Sequence, residues 1–285
     1  MNEKFIPHTI KVLITIHNGM DILDFAGPLQ ILSRAKHDIN DENSNAFNIE
    51  IVSAGETSTA QGAILQTHLD YKTAYSRLSD YDVLIIPGGS VDAIIKSKAE
   101  PLGLITAYSN LQQKDPRRER TLFSVCTGSL FLAQQGILSG LKATTHHDYY
   151  AKFEKICSEA ALRDLAERCD VVEERYVVNN LRFDLEGKHE EDPSFQGTKG
   201  NRKSSLGRRG SDAFQESNKH KESIARRSTI RLGGLRVITS GAMACGLDAS
   251  LYLVRIMVST EAAAEIERNL MYEWKKGIVV DGVDV

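Results

Sequence analysis

Short apolar runs alternate along the chain with longer stretches whose apolar positions recur at helical spacing. "TIKVLITIH" (Thr9–His17) is continuously apolar, the pattern of a strand buried on both faces. "LDFAGPLQILSRA" follows with a helical period, opening on Asp24 with Pro28 near its first turn. "FNIEIVSAG" (Phe47–Gly55) alternates and ends in glycine, a second strand, and "GAILQTH" offers a short extra strand or hairpin arm. "YDVLIIPGG" (Tyr81–Gly89) is a third strong strand, closing on a Pro-Gly-Gly turn, and "PLGLITAYSNLQQ" is helical. A further apolar strand runs from Thr121 to Val125 and stops at Cys126, with a helix expected from Thr127 to Gln135 and a short strand around Lys142–Thr145. "DYYAKFEKICSEAALRDLAERC" is helical, "DVVEERYVVNN" and "RVITSG" are strand-like, and "AMACGLDASLYLVRIMVSTEAAAEIERNLMYEW" is helical with a break near Ser259–Thr260.

Strands alternating with helices, with apolar strands ending in glycine, predict an α/β sheet covered by helices on both faces. In such folds sites form at the carboxyl ends of the strands. Three candidates sit there: the Asn18–Asp24 loop, Pro87–Gly89 and Cys126.

One segment breaks the pattern. Residues 186–230 have no period and few aliphatics, and carry ten Lys or Arg against seven Asp or Glu. That composition predicts a disordered insertion between two strands that a short turn could otherwise join. Its "NRKSSLGRRG" run lacks interleaved aromatics, so it reads as a solvated loop and not as a nucleic-acid contact. A single domain over 1–285 with this insertion is the expected organisation.

Composition narrows the function classes. With 285 residues, 41% hydrophobic and 26% charged, the chain can bury a sizeable core. A formal net charge of −3 gives no polyanion-binding bias. The N-terminal stretch has neither the apolar core nor the cleavage site of a signal peptide, and no stretch is long and apolar enough to span a membrane. Cys126, Cys157, Cys169 and Cys245 are irregularly spaced without a CxxC, against a structural zinc site or a disulfide framework. A soluble, reduced, cytoplasmic protein without nucleic-acid or membrane partners is expected.

Cys126, on a strand-to-helix turn, is either a small buried residue or a nucleophile. Helix N-terminal amides would favour the thiolate and hold developing negative charge on a substrate. Asp24 is either an N-cap or a carboxyl facing that thiol. "IPGG" is a tight turn that also brings backbone amides close to a ligand. His146 and His147 are adjacent, and neighbours on a strand point to opposite faces, so the pair is weak evidence for a metal. Asp248 and Gly246 read as cap and packing residues of the last long helix. Cys157, Cys169 and Cys245 lack the elbow setting and read as structural.

"LDFAGPLQIL", "YDVLIIPGG", "SVCTGSLFLAQQGILSGLKATTH" and "ITSGAMACGLDASLYLV" occur in the order and spacing of the ThiJ/PfpI superfamily, and together resemble its isocyanide (isonitrile) hydratase branch. The resemblance covers nearly the whole chain outside the insertion and the ends. It implies a flavodoxin-like sandwich, class I glutamine amidotransferase-like, with Cys126 as nucleophile and Asp24 as acidic partner. Peptidase-like members carry His where this chain has Thr127. His146 matches the histidine of the family's TTH motif, and the backbone N–H groups of Gly89 and Thr127 would line an anion site. The implied activity is the cofactor-free, metal-free conversion of an isocyanide to an N-substituted formamide, in secondary metabolism or detoxification. The alternatives are a glyoxalase- or deglycase-like enzyme acting on small carbonyls, or a non-catalytic ligand or redox sensor. Regulators of the superfamily add a C-terminal helix-turn-helix pair, for which no room is expected before Val285. The resemblance also implies a homodimer, with "GPLQILSRA" offering an apolar stripe.

Overall fold

A computed structural model of the chain describes residues 8–180 and 231–281; the expected insertion at 186–230 lies outside the described residues. The chain begins β1 (Ile10–Thr15), α1 (Ile22–Arg34), β2 (Phe47–Val52), a hairpin of β3 (Thr57–Ser58) and β4 (Ile64–Leu65), α2 (Tyr71–Ser76), β5 (Val83–Ile86), α3 (Val91–Ser97) and α4 (Leu102–Lys114). It continues with β6 (Thr121–Val125), α5 (Ser129–Gln134), β7 (Lys142–Ala143), α6 (Tyr150–Asp164), β8 (Asp170–Val171) and β9 (Tyr176–Asn180). After the undescribed stretch come β10 (Arg236–Ser240), α7 (Ala244–Met257), α8 (Thr260–Leu270) and β11 (Ile278–Asp281).

Among the described residues the main sheet has seven strands, ordered β11-β9-β10-β6-β5-β1-β2. From β2 to β10 every neighbouring pair is parallel. β9 pairs antiparallel to β10, as a hairpin expectation for the two strands flanking the insertion requires. β11, a strand that the sequence pattern does not predict, pairs parallel to β9 at the sheet edge.

Alternation along the strands builds two cores. Leu13, Leu84, Leu122 and Val237 face one side and pack under Leu104, Tyr108, Leu130 and Phe153 of α4, α5 and α6. Val12, Ile14, Val83, Ile85 and Phe123 face the other and pack under Ile31, Leu251 and Ile266 of α1, α7 and α8. Burial on both faces explains the unbroken apolar runs. Gly27 permits the α1–α7 approach, since a Cβ there would stand 3.1 Å from Leu247. This packing uses the stripe expected at a dimer contact: Gly27, Pro28, Ile31 and Leu32 are buried within the chain.

Registers align the carboxyl ends of β1, β5, β6 and β10, pairing Ile14 with Ile85, Ile86 with Ser124 and Val125 with Ser240. The loops after these four strands therefore converge at one edge of the sheet, the place where open parallel sheets form sites. No helix among the described residues is long and apolar enough to cross a membrane.

Candidate active site

Four loops supply the site. The loop after β1 leads into α1, and Asp21, not Asp24, caps that helix: its Oδ1 accepts the Leu23 N–H at 3.0 Å. Asp24 lies one turn in, fully buried, and its Oδ1 accepts the Met243 N–H from the loop after β10 at 3.3 Å. The carboxyl also faces the Cys126 thiol, and its Oδ2 is buried without a hydrogen-bond partner among the described residues. The Gly88 amide after β5 also faces the Asp24 carboxyl.

Cys126 sits on the turn after β6 with φ +57°, a left-handed conformation uncommon for a residue with a side chain. Its N–H donates to Gly241 O at 3.1 Å, and its carbonyl accepts from Ser129 Oγ at 3.1 Å and Thr145 Oγ1 at 3.2 Å. These hydrogen bonds over-determine the strained turn, which aims the sulfur off the sheet edge as in a nucleophile elbow. The expected single helix from Thr127 is a 3-10 turn over Cys126–Gly128 followed by the six-residue α5. Gly128 makes that turn possible, because a Cβ would stand 2.3 Å from Ile86 O.

The electrostatics correct one expectation. A helix N-terminus is expected to bias Cys126 toward thiolate, but burial pushes the thiol well above its ordinary value, and the neighbouring Asp24 charge adds to the rise. The Thr127 amide facing the sulfur works the other way and is outweighed. A dipole worth about 0.3–1 kcal/mol at one short helix is smaller than the cost of burying an anion beside a second carboxylate. Burial, then the charge of Asp21, raises Asp24 from 3.8 to about 6, against the lowering effect of the nearby Cys126 thiol and the Met243 and Gly88 amides. The two groups titrate as a unit that keeps one proton across the neutral range. Passing that proton from sulfur to Asp24 would leave a thiolate at the cavity.

The Gly89 N–H, expected at an anion site, donates instead to Thr127 Oγ1 at 2.9 Å. The amides that face the Cys126–Asp24 pair belong to Thr127 and Gly88. Gly88 is confined to glycine by contact: a Cβ would lie 2.6 Å from Thr127 Oγ1 and 3.0 Å from Asp24 Oδ2.

A cavity of about 320 Å³ opens onto the pair, lined by residues that include Asp24, Gly89, Cys126, Thr127 and His146, so all five candidate residues meet at one place. Tyr149, Ala60, Ala242 and Met243 supply its less polar wall. His146 Nδ1 accepts the Asp148 N–H at 3.2 Å. His17, buried at the end of β1 against Phe131, is held neutral by burial, which pulls it down to about 4.

The parts played by Met243 and Asp248 escape the sequence reading. Met243 has φ +27°, a second strained residue on the opposite wall. Asp248, expected to cap α7, is buried in its second turn and ion-paired with Arg175 Nε at 2.6 Å. It also accepts Tyr272 OH and the Lys275 N–H, each at 2.9 Å. Arg175 O in turn accepts the Gly241 N–H at 2.9 Å, and Gly241 O holds Cys126. The pairing spans 73 positions in sequence, and no local pattern marks it.

A cysteine elbow facing a buried carboxyl, on a flavodoxin-like sandwich of the class I glutamine amidotransferase-like type, defines the class of protein. The chain belongs to the DJ-1/PfpI family, whose profile matches residues 10–180. Over 153 residues it is 30% identical to an uncharacterized protein in the cpoL 5′ region of Streptomyces lividans, covering 53% of this chain and 96% of that one. Its fold resembles a ThiJ/PfpI family protein from Pseudomonas syringae (TM-score 0.54, 18% identity, 97% of this chain and 80% of that one). It also resembles Drosophila melanogaster DJ-1beta (TM-score 0.53, 11% identity, 94% and 100%) and an AraC family transcriptional regulator from Pseudomonas putida (TM-score 0.54, 12% identity, 92% and 99%).

Proposed function

We propose that the chain is a cysteine-dependent hydratase that converts an isocyanide to an N-substituted formamide. The observation that carries this reading is the buried Cys126–Asp24 pair with the carboxyl raised to about 6, and the resemblance adds that Thr127 takes the place of the histidine of peptidase-like members. The reaction needs one group that can give and take a proton near neutral pH beside a nucleophile, and Asp24 at about 6 suits both roles. Asp24 accepts the Cys126 proton as sulfur attacks the terminal carbon of R–NC. It then delivers that proton to the same carbon, leaving a thioimidate, R–N=CH–S–Cys126. Asp24, again ionised, takes a proton from water as hydroxide adds to this carbon and passes it to nitrogen. Breaking the C–S bond releases R–NH–CHO, and the remaining hydroxyl proton returns to sulfur. The Thr127 amide stabilises negative charge on sulfur when it leaves.

The test is turnover of isocyanides with varied R groups beside 2-oxoaldehydes, following formamide and hydroxyacid by NMR. Formamide from wild type and none from Cys126→Ala is expected. Turnover of 2-oxoaldehydes alone would move the reading to a small-carbonyl enzyme. Ligand binding without turnover of either would make the chain a sensor.

A further inference from the structure

The turn after Thr145 presents a donor set that the proposed reaction leaves unused. His146, His147 and Asp148 each offer one ligand atom, and these atoms lie within 4.8 Å of one another. The histidines are not on a strand, so the expectation that their rings point apart fails. They begin a 3-10 turn, and the rings stack with centroids 4.3 Å apart and planes at 23°. His147 Nε2 stands 3.4 Å from Asp148 Oδ1, and His146 Nδ1 stands 3.8 Å from Asp148 Oδ2. Two donors on a tetrahedral zinc at about 2.0–2.1 Å are separated by about 3.3–3.4 Å. One pair already has that spacing. The others need movements on the order of 1 Å, and the stacked rings must turn so that their in-plane lone pairs converge, both within reach of the His147 and Asp148 side chains, which are 74% and 72% exposed.

The turn also joins the cavity to solvent. His146 lines the cavity that holds Cys126, while His147 and Asp148 stand outside it. Thr145, one residue earlier, is hydrogen-bonded to the Cys126 carbonyl, which fixes the turn beside the elbow. An ion held by His146 Nδ1 would replace the Asp148 N–H that now donates to that nitrogen at 3.2 Å.

We propose that His146, His147 and Asp148 form a site for a zinc-class divalent ion at the mouth of the Cys126 cavity, and that its occupation closes the cavity to reagents. Two imidazoles and one carboxylate select a borderline ion such as zinc over magnesium or calcium, which take all-oxygen sets. Three protein donors leave a position for water. The site is independent of the reaction proposed above, because it concerns access to the thiol.

The experiment measures zinc bound per chain by equilibrium dialysis, and the rate of Cys126 alkylation by iodoacetamide with zinc and after EDTA. The chains are wild type, Cys126→Ala, His147→Ala and Asp148→Asn, each checked for an unchanged thermal midpoint. Expected are one zinc in wild type and in Cys126→Ala, and alkylation of wild type slowed by zinc and restored by EDTA. Loss of a ligand should weaken binding by at least the ~10-fold that loss of an outer-shell partner costs, with the metal-free alkylation rate of His147→Ala unchanged. Equal binding by His147→Ala, loss of binding in Cys126→Ala, or alkylation unaffected by bound zinc would each overturn the proposal.

Discussion

Replacing Asp24 by asparagine should make the protein more stable at neutral pH while removing its activity. The asparagine side chain keeps the shape of a protonated carboxyl and carries no charge. In the folded chain burial raises Asp24 from 3.8 to about 6, so the native state holds its proton where the unfolded state has lost it. The sign follows: between these values the native state binds more protons, and stability falls as pH rises through the window. Above it the wild type carries a penalty of about 3 kcal/mol, from 1.36 kcal/mol for each pKa unit. Below it the penalty is absent. The asparagine variant never incurs it. Urea unfolding at pH 4 and at pH 7.5 reads the difference directly. Wild type and variant should be close at pH 4, and the variant more stable at pH 7.5 by about 2–3 kcal/mol. A variant less stable by the same amount at both values would mean that the Asp24 charge carries no penalty and that the amide fits poorly beside the Cys126 thiol, and the coupled-pair reasoning would fail. The same variant should lose the step near pH 6 in the rate of Cys126 alkylation, and lose turnover by about 10²-fold or more.

Alkylation of the native protein followed by peptide mapping should label Cys126 ahead of Cys157, Cys169 and Cys245, because Cys126 alone among them lines the cavity beside a proton acceptor. Preferential modification of another thiol, or full activity in Cys126→Ala, would sink its assignment as nucleophile. Asp248→Asn should cost about 2 kcal/mol, less than the 3–5 kcal/mol of a sealed ion pair because Arg175 is one-third exposed. It should also speed tryptic cleavage after Lys275, whose backbone Asp248 holds. An unchanged urea midpoint and cleavage rate would show that the network anchors nothing.

The parallel strands and the elbow are legible in the sequence because burial on both faces leaves unbroken apolar runs, and few buried strands stop at a cysteine. α2 is not, since its six residues are too short to display a helical period. β11 escapes because a short edge strand packs one face only and resembles a tail. The cap falls three residues before the expected one, although a signal for it exists. Asp21-x-x-Asp24 has the spacing of an N-cap and the acidic third helical position, which assigns the cap to Asp21 and releases Asp24 for the site. The role of the Gly89 amide cannot be read from "IPGG", because a side chain 38 positions away takes its hydrogen bond. The thiol's direction of shift is hidden for a related reason: local pattern reveals a helix start, but the burial that outweighs it comes from four separate loops.

The strain at Cys126 yields a prediction that does not depend on the substrate. At ordinary backbone positions glycine is less stable than alanine by roughly 0.5–1 kcal/mol, because the unfolded glycine chain has more freedom to lose. At φ +57° the Cβ of an L-residue meets its neighbouring carbonyl, at a cost of roughly 1–2 kcal/mol that glycine avoids. The second effect exceeds the first, so the usual order should reverse at this one residue. Both substitutions remove the thiol and so remove its coupling to Asp24 equally, and the comparison isolates the backbone. Cys126→Gly should therefore unfold at a higher urea concentration than Cys126→Ala, by an amount equivalent to about 0.5–1 kcal/mol. The contacts through Gly241, Ser129 and Thr145 involve the Cys126 backbone and survive in both variants. If Cys126→Ala proves the more stable, the turn relaxes without the thiol, and it is the thiol facing Asp24, not the surrounding backbone, that holds the elbow in its left-handed conformation.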